Sequence, residues 1–297
     1  MADHFEAPEL NDLHAANRQR DTTENGSCLT GHEGKFRKKK NKSTCNYRYQ
    51  AYEQALAENA IRLRLESYQT SKVITTSVYQ TEAGGWAPSY YCATLPIPDP
   101  ANKDWHVIGP TKAITRGTLS NQQRTIPSEM NFSQDTWPYW NNAHHLIPKG
   151  LFNSMIESQD EPVPNVMRKA LMTAKYNINH KINMFLLPQD KEVAAILHLT
   201  RHIQLRHDDA RVAEIFTDHP VYNRMVKQLL NSIITDYKQI CDKPSPDGHK
   251  IPKADLDKAK LEKLSDTLMH RILDWGIETP GASLDSKADD ADFVFGD

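Results

Sequence analysis

The stretch Trp140–Asn153, WNNAHHLIPKGLFN, places two adjacent histidines, His144 and His145, between a polar turn and a short apolar run. Neighbouring side chains on an extended segment point to opposite faces. Two imidazoles set this way can serve two partners, one binding a metal while the other reaches a substrate. Downstream, INHKINMFLLP supplies another polar turn and a second short strand, Met184–Leu187, so two strand ends meet around histidine and asparagine. With distant histidines completing a metal shell, this set suits hydrolysis of a phosphodiester. That reaction needs a Lewis acid for the phosphate and leaving oxygen, and a base that activates water.

The rest of the chain bounds what can surround this stretch. Its 297 residues are 38% hydrophobic with a formal net charge of -2, enough apolar material for one large domain or two modest ones. A protein basic everywhere is excluded, so any nucleic-acid contact is local. The start, MADHFEAPELNDLH, does not read as a secretory leader, and no apolar run is long enough to cross a bilayer. Synthesis and folding in a cytoplasm, with no membrane partner, are expected. Cys28, Cys45, Cys92 and Cys241 form no CxxC pair, which indicates neither a disulfide framework nor a thiolate zinc site. Cys28, His32 and Cys45 would supply three ligands, but without the close pairing usual in structural zinc sites.

Composition and periodicity divide the chain into six parts. Residues 1–46 read as a polar arm that includes the basic run KFRKKKNK, Lys35–Lys42. Residues 47–135 read as a helix and hairpin region. Asn46–Tyr68 is rich in helix formers, with Tyr52, Leu56, Asn59 and Leu63 on one face, and the strands flank Gly84-Gly85. Residues 136–240 hold the histidine-rich domain. Within it a helix beginning at Asp190 would carry His198 and His202 on one face, and Tyr222, Met225, Leu229, Ile233 and Tyr237 mark a second helix behind His219. Residues 241–255 form a linker, 256–277 a helix with Leu261, Leu264, Leu268 and Ile272 on one face, and 278–297 an acidic tail. Single histidines such as His180, His198, His207 and His270 read as ordinary surface or core residues.

NNAHHLIP, then NMFLLP and HPVYN, resemble the AHH family of the HNH/endonuclease VII superfamily, nucleases often found as polymorphic bacterial toxins. The likeness covers roughly Trp140 to Ile240. It implies an α+β, helix-rich fold with a ββα-metal (His-Me finger) core, to which the N-terminal helix and hairpin and the C-terminal helix are added. It further implies His144 as a metal ligand, His145 as the general base, Asn183 as the asparagine that holds the loop and orients the base, and His219 as a second ligand. His202 is the choice for the remaining ligand over His198, His207 and Asp208. The choice is open because IQLRHDDARVAEIFTD separates His202 from His219, a longer gap than the family usually has. Tyr222, Arg201 and Lys149 are candidates for phosphate contact, with a core tyrosine and surface ion pairs as the alternatives.

The function this implies is a metal-dependent endonuclease, with DNA favoured, using one divalent ion (magnesium, manganese, zinc or nickel). It would act as an antibacterial toxin neutralised by a cognate immunity protein. Delivery without a signal peptide, by an apparatus such as the type VI secretion system, would engage a spike or chaperone through the N-terminal region. An RNase on the same scaffold, or a non-catalytic binding or adaptor protein with a structural metal, are the alternatives.

Overall fold

The computed structural model describes residues 8–17, 26–30, 44–62, 79–80, 86–87, 107–110, 123–126, 141–188, 194–195, 197–202, 219–242 and 254–290. Among them the fold is helix-rich α+β with small two-stranded sheets. Helices α1 (Pro8–Asn17) and α2 (Tyr47–Arg62) precede strands β1 (Tyr79–Gln80), β2 (Trp86–Ala87), β3 (Val107–Pro110) and β4 (Gln123–Ile126). Strand β5 (Asn141–His145), helices α3 (Lys149–Glu157) and α4 (Val163–Thr173) and strand β6 (Met184–Pro188) follow, then helices α5 (Pro220–Cys241), α6 (Ala259–Glu278) and α7 (Leu284–Asp290). β1 pairs antiparallel with β2 across Gly84-Gly85, as the hairpin reading expects. β3 and β4 form a second antiparallel pair, and β5 pairs with β6. No helix among the described residues is long and apolar enough to cross a membrane.

Contacts divide the chain into two units: Met1–Glu53 with His144–Phe185 and Asn223–Met269, and Gln54–Ala143 with Leu186–Tyr222 and His270–Asp297. The division runs through α2, β5, β6, α5 and α6, so each of these elements belongs in part to both. In the first unit, residues read as a polar arm are folded. α1 lies against α4, with Leu10 buried and Glu9 paired to Lys169 at 2.8 Å. Asn46 accepts from the backbone N–H groups of Arg48 and Tyr49 and so caps α2. The buried side of α2 is more polar than its periodicity predicts: Gln50 and Gln54 are buried while Tyr52 is half-exposed. Gln50 turns inward because its Oε1 accepts from the Lys181 N–H at 2.9 Å.

Periodicity reads the later helices correctly. Tyr222, Met225, Leu229 and Tyr237 are buried on α5, with Ile234 buried in place of Ile233, and Leu261, Leu264, Leu268 and Ile272 are buried on α6. In the second unit a helix carrying both His198 and His202 does not form. His198 takes a left-handed φ of 49°, and Arg201 pairs instead with the backbone beside Ser283. Gly276 makes this possible, since a Cβ there would stand 2.4 Å from the His198 carbonyl oxygen. Part of the stretch read as an acidic tail is helical, as α7. The basic run 35–42, Cys92, residues 63–68 of the stretch read as a helix, most of the linker and the end of the tail lie outside the described residues.

Asn183 organises the turn that follows β5. It is fully buried, and its amide uses its whole hydrogen-bonding capacity. Oδ1 accepts from the Ile147 N–H at 2.8 Å and the Ser265 hydroxyl at 2.9 Å. Nδ2 donates to the carbonyls of Ile178 at 2.8 Å and Ile147 at 3.3 Å. Its own carbonyl accepts from the Leu146 N–H at 2.9 Å. Removing the amide strands several buried groups at once, each costing about 1–3 kcal/mol. Asn183→Ala is therefore expected to lower unfolding free energy in urea by about 3 kcal/mol or more. A loss under about 1 kcal/mol would mean that the turn is held by something else.

Candidate metal centre

β5 delivers the histidine pair, and its extended backbone separates the two rings. His144 is buried and His145 half-buried. His202 is fixed by its backbone N–H, which donates to the Pro188 carbonyl at the end of β6 at 2.9 Å. His219 directly precedes Pro220, the first residue of α5, a position where proline starts a helix without forfeiting a hydrogen bond. One ring nitrogen from each of His144, His202 and His219 lies within 4.8 Å of the others, and all three residues are buried. The His202 and His219 rings meet edge to face, their centroids 5.0 Å apart.

This donor set fits a divalent ion. A metal that bonds imidazole nitrogen at about 2.1 Å spaces its ligands by roughly 3–4 Å, a separation within small side-chain rotations of the one present. The three described donors are all nitrogens, which suits zinc or nickel, while a carboxylate in the set would favour magnesium or manganese. Burial holds the His202 imidazole well below its ordinary pKa, and the neighbouring His219 pushes the same way. A neutral imidazole is the form that ligates.

His145 faces a different partner. Its Nε2 stands 2.9 Å from Asn179 Oδ1. The Asn179 amide is oriented by its other end, where Nδ2 donates to the Thr30 carbonyl at 2.9 Å and contacts Cys28 Sγ at 3.4 Å. Only an NH2 can make that donation, so Oδ1 faces the imidazole and Nε2 must carry the proton. Nδ1 then holds the free lone pair, as a general base requires. Part of the residue reaches solvent, but the ring sits among buried atoms. That burial lowers its pKa to about 4, with the Asn179 hydrogen bond opposing and the Lys149 charge adding to the shift. The Tyr47 ring packs tilted against it at 5.4 Å.

The resemblance gives Asn183 both the holding of the loop and the orienting of His145; in the structure Asn183 holds the turn at Ile147, and it is Asn179 that contacts His145. Asn179 is overlooked because NINHKIN offers three asparagines at short spacing, and nothing local says which amide faces a residue 34 positions away. Tyr222 is wholly buried and stands edge-on to His219 at 5.3 Å. It therefore packs against His219 and presents no exposed face to a phosphate. Lys149 opens α3 close enough to act on His145, and Arg201 is half-buried in its pairing with Ser283. His207, Asp208, Asp209, Arg206 and Arg211 lie outside the described residues.

The depressed histidines give the metal-free chain a signed pH response. His145 and His202 bind protons less readily folded than unfolded, where a histidine titrates near about 6.5. Their contribution to stability is complete above that pH and is lost as pH falls towards about 4. Urea midpoints of the EDTA-treated protein should therefore fall steadily between about pH 6.5 and 4.5, and a flat profile would contradict the buried, neutral state. No family model, curated protein or solved structure matches this chain, so the role of the site has to come from its own chemistry.

Proposed function

We propose that the chain is a metal-dependent endonuclease with a ββα-metal core, hydrolysing DNA. The observation that carries this reading is the division of labour in one short strand: His144 joins His202 and His219 while His145, its neighbour, meets Asn179. A divalent ion held by the three histidines would supply Lewis acidity to a phosphodiester. His145 accepts the proton of the attacking water at Nδ1, because Nε2–H is engaged with Asn179 and the imidazole is neutral at working pH. Asn179 fixes the tautomer and the plane of that ring. Lys149 and Arg201 are the cations from which phosphate contacts are drawn.

The biological reading that follows is a toxin acting inside a competing bacterial cell, restrained in its producer by an immunity protein that covers the site. Export by a contact-dependent apparatus would use the N-terminal region to engage a spike or chaperone. A structural metal is the second reading, favoured by the near-complete burial of the three ligands, since structural sites are closed and catalytic ones keep a position open.

Plasmid digestion by the purified chain separates the two. With magnesium, manganese, zinc or nickel, cleavage is expected for the wild-type protein and its loss on EDTA treatment. His145→Ala is expected to lower the rate by about 10²–10⁴-fold with the circular dichroism spectrum unchanged. Asn179→Ala should slow cleavage less and alter its acid limb, because the ring remains while its tautomer is freed. If no metal gives cleavage, or His145→Ala cuts as fast as wild type, the nuclease reading fails and the structural metal takes its place. Parallel digestion of total RNA tests the preference for DNA.

A further inference from the structure

The first unit holds a second group of ligating side chains that the nuclease chemistry does not use. His14 comes from α1, Cys28 from the segment at 26–30, and Cys45 from the turn that precedes α2. All three are buried, and one ligand atom from each lies within 4.8 Å of the others. Cys45 Sγ stands 3.5 Å from His14 Nε2. A tetrahedral ion bonding thiolate at about 2.3 Å and imidazole at about 2.05 Å would hold those atoms about 3.6 Å apart. Both cysteines are free thiols.

We propose that His14, Cys28 and Cys45 bind a structural zinc ion that fastens the N-terminal segments to the turn at 176–179, which Cys28 meets in an isolated bridge with Asn177. Zinc is the ion this donor set selects, because thiolates are soft ligands that hard magnesium and manganese bind weakly. The three segments come from separate parts of the chain, and beside the buried Leu10 and Leu29 they bury the polar side chains of Ser27, Thr44, Asn46 and Gln50, which a shared ion would help to fix. Backbone bonds mark where the tie lands: the Cys28 N–H donates to the Tyr176 carbonyl at 3.1 Å, and the Ile178 N–H donates to the Cys28 carbonyl at 2.8 Å. Asn177 Nδ2 donates to the Thr44 carbonyl at 2.6 Å.

The Cys28 thiol donates to the Thr30 carbonyl at 2.8 Å, and a bound metal would displace that proton. The site lies one residue from the base, since Asn179 touches both Cys28 Sγ and Thr30 before it reaches His145. The zinc therefore steadies the loop that orients His145, although it binds whether or not the chain cleaves nucleic acid.

Cobalt(II) substitution of the full chain under reducing conditions tests this directly. Thiolate ligation gives an intense near-ultraviolet charge-transfer absorption that a site made of histidines alone lacks. The wild-type cobalt form should show that band, His202→Ala should keep it, and a Cys28→Ser, Cys45→Ser double variant should lose it together with one equivalent of zinc per chain. Absence of the band in the wild-type protein, its survival in the double variant, or a Cys28–Cys45 disulfide found by mass spectrometry of the native chain would each overturn the proposal. The primary readout is taken on the wild-type protein, so misfolding of a variant leaves the test intact.

Discussion

The Asn183 amide is the constraint on which the site rests. A buried primary amide is tolerated only when its donors and acceptors are met, and this one meets four partners on three segments: Ile147 after β5, Ile178 before β6, and Ser265 on α6. It sets where β5 must end, because the Ile147 backbone cannot leave the amide without stranding its own N–H. With that end fixed, the alternation of an extended strand sends His144 to the buried side and His145 towards Asn179. The single asparagine thus converts two adjacent letters of sequence into two separate chemical environments.

Those environments differ in the way the proposed hydrolysis would require. His144 stands with His202 and His219 as three buried imidazoles, a set that could hold a cation with neutral ligands and would leave its charge largely uncompensated for a phosphate. His145 keeps some access to solvent, and its tautomer is defined by a chain of contacts from Thr30 and Cys28 through Asn179. Its ring is therefore oriented through residues 28 and 30, whose composition reads as a polar arm.

Adjacency made the histidine pair legible in the sequence, and the HPVYN motif, through the family resemblance, singled out His219. The buried faces of α5 and α6 could be read from spacing, because each packs an apolar stripe. His202 shares no helix face with His198, and the reason lies far along the chain, where Gly276 admits the backbone of His198 and Leu199 against α6. The His14, Cys28 and Cys45 group left no local trace either. Its members are separated by 14 and 17 positions, and the sequence pairs the cysteines more naturally with His32, because ligand spacing is visible in a sequence and tertiary proximity is not. The polar buried side of α2 was hidden for the same reason: Gln50 is inward only because the Lys181 N–H is there to meet it.

The central claim is that His144, His202 and His219 hold one divalent ion beside a base that is not itself a ligand. Anomalous diffraction from crystals of the full chain loaded with nickel or manganese, recorded at the absorption edge of that metal, tests it most directly. The account predicts a peak about 2.1 Å from one ring nitrogen of each of those three residues, with the His145 ring outside the coordination shell and still hydrogen-bonded to Asn179. A peak ligated by His145, or the absence of metal from the three histidines in crystals that bind it elsewhere, would contradict the account.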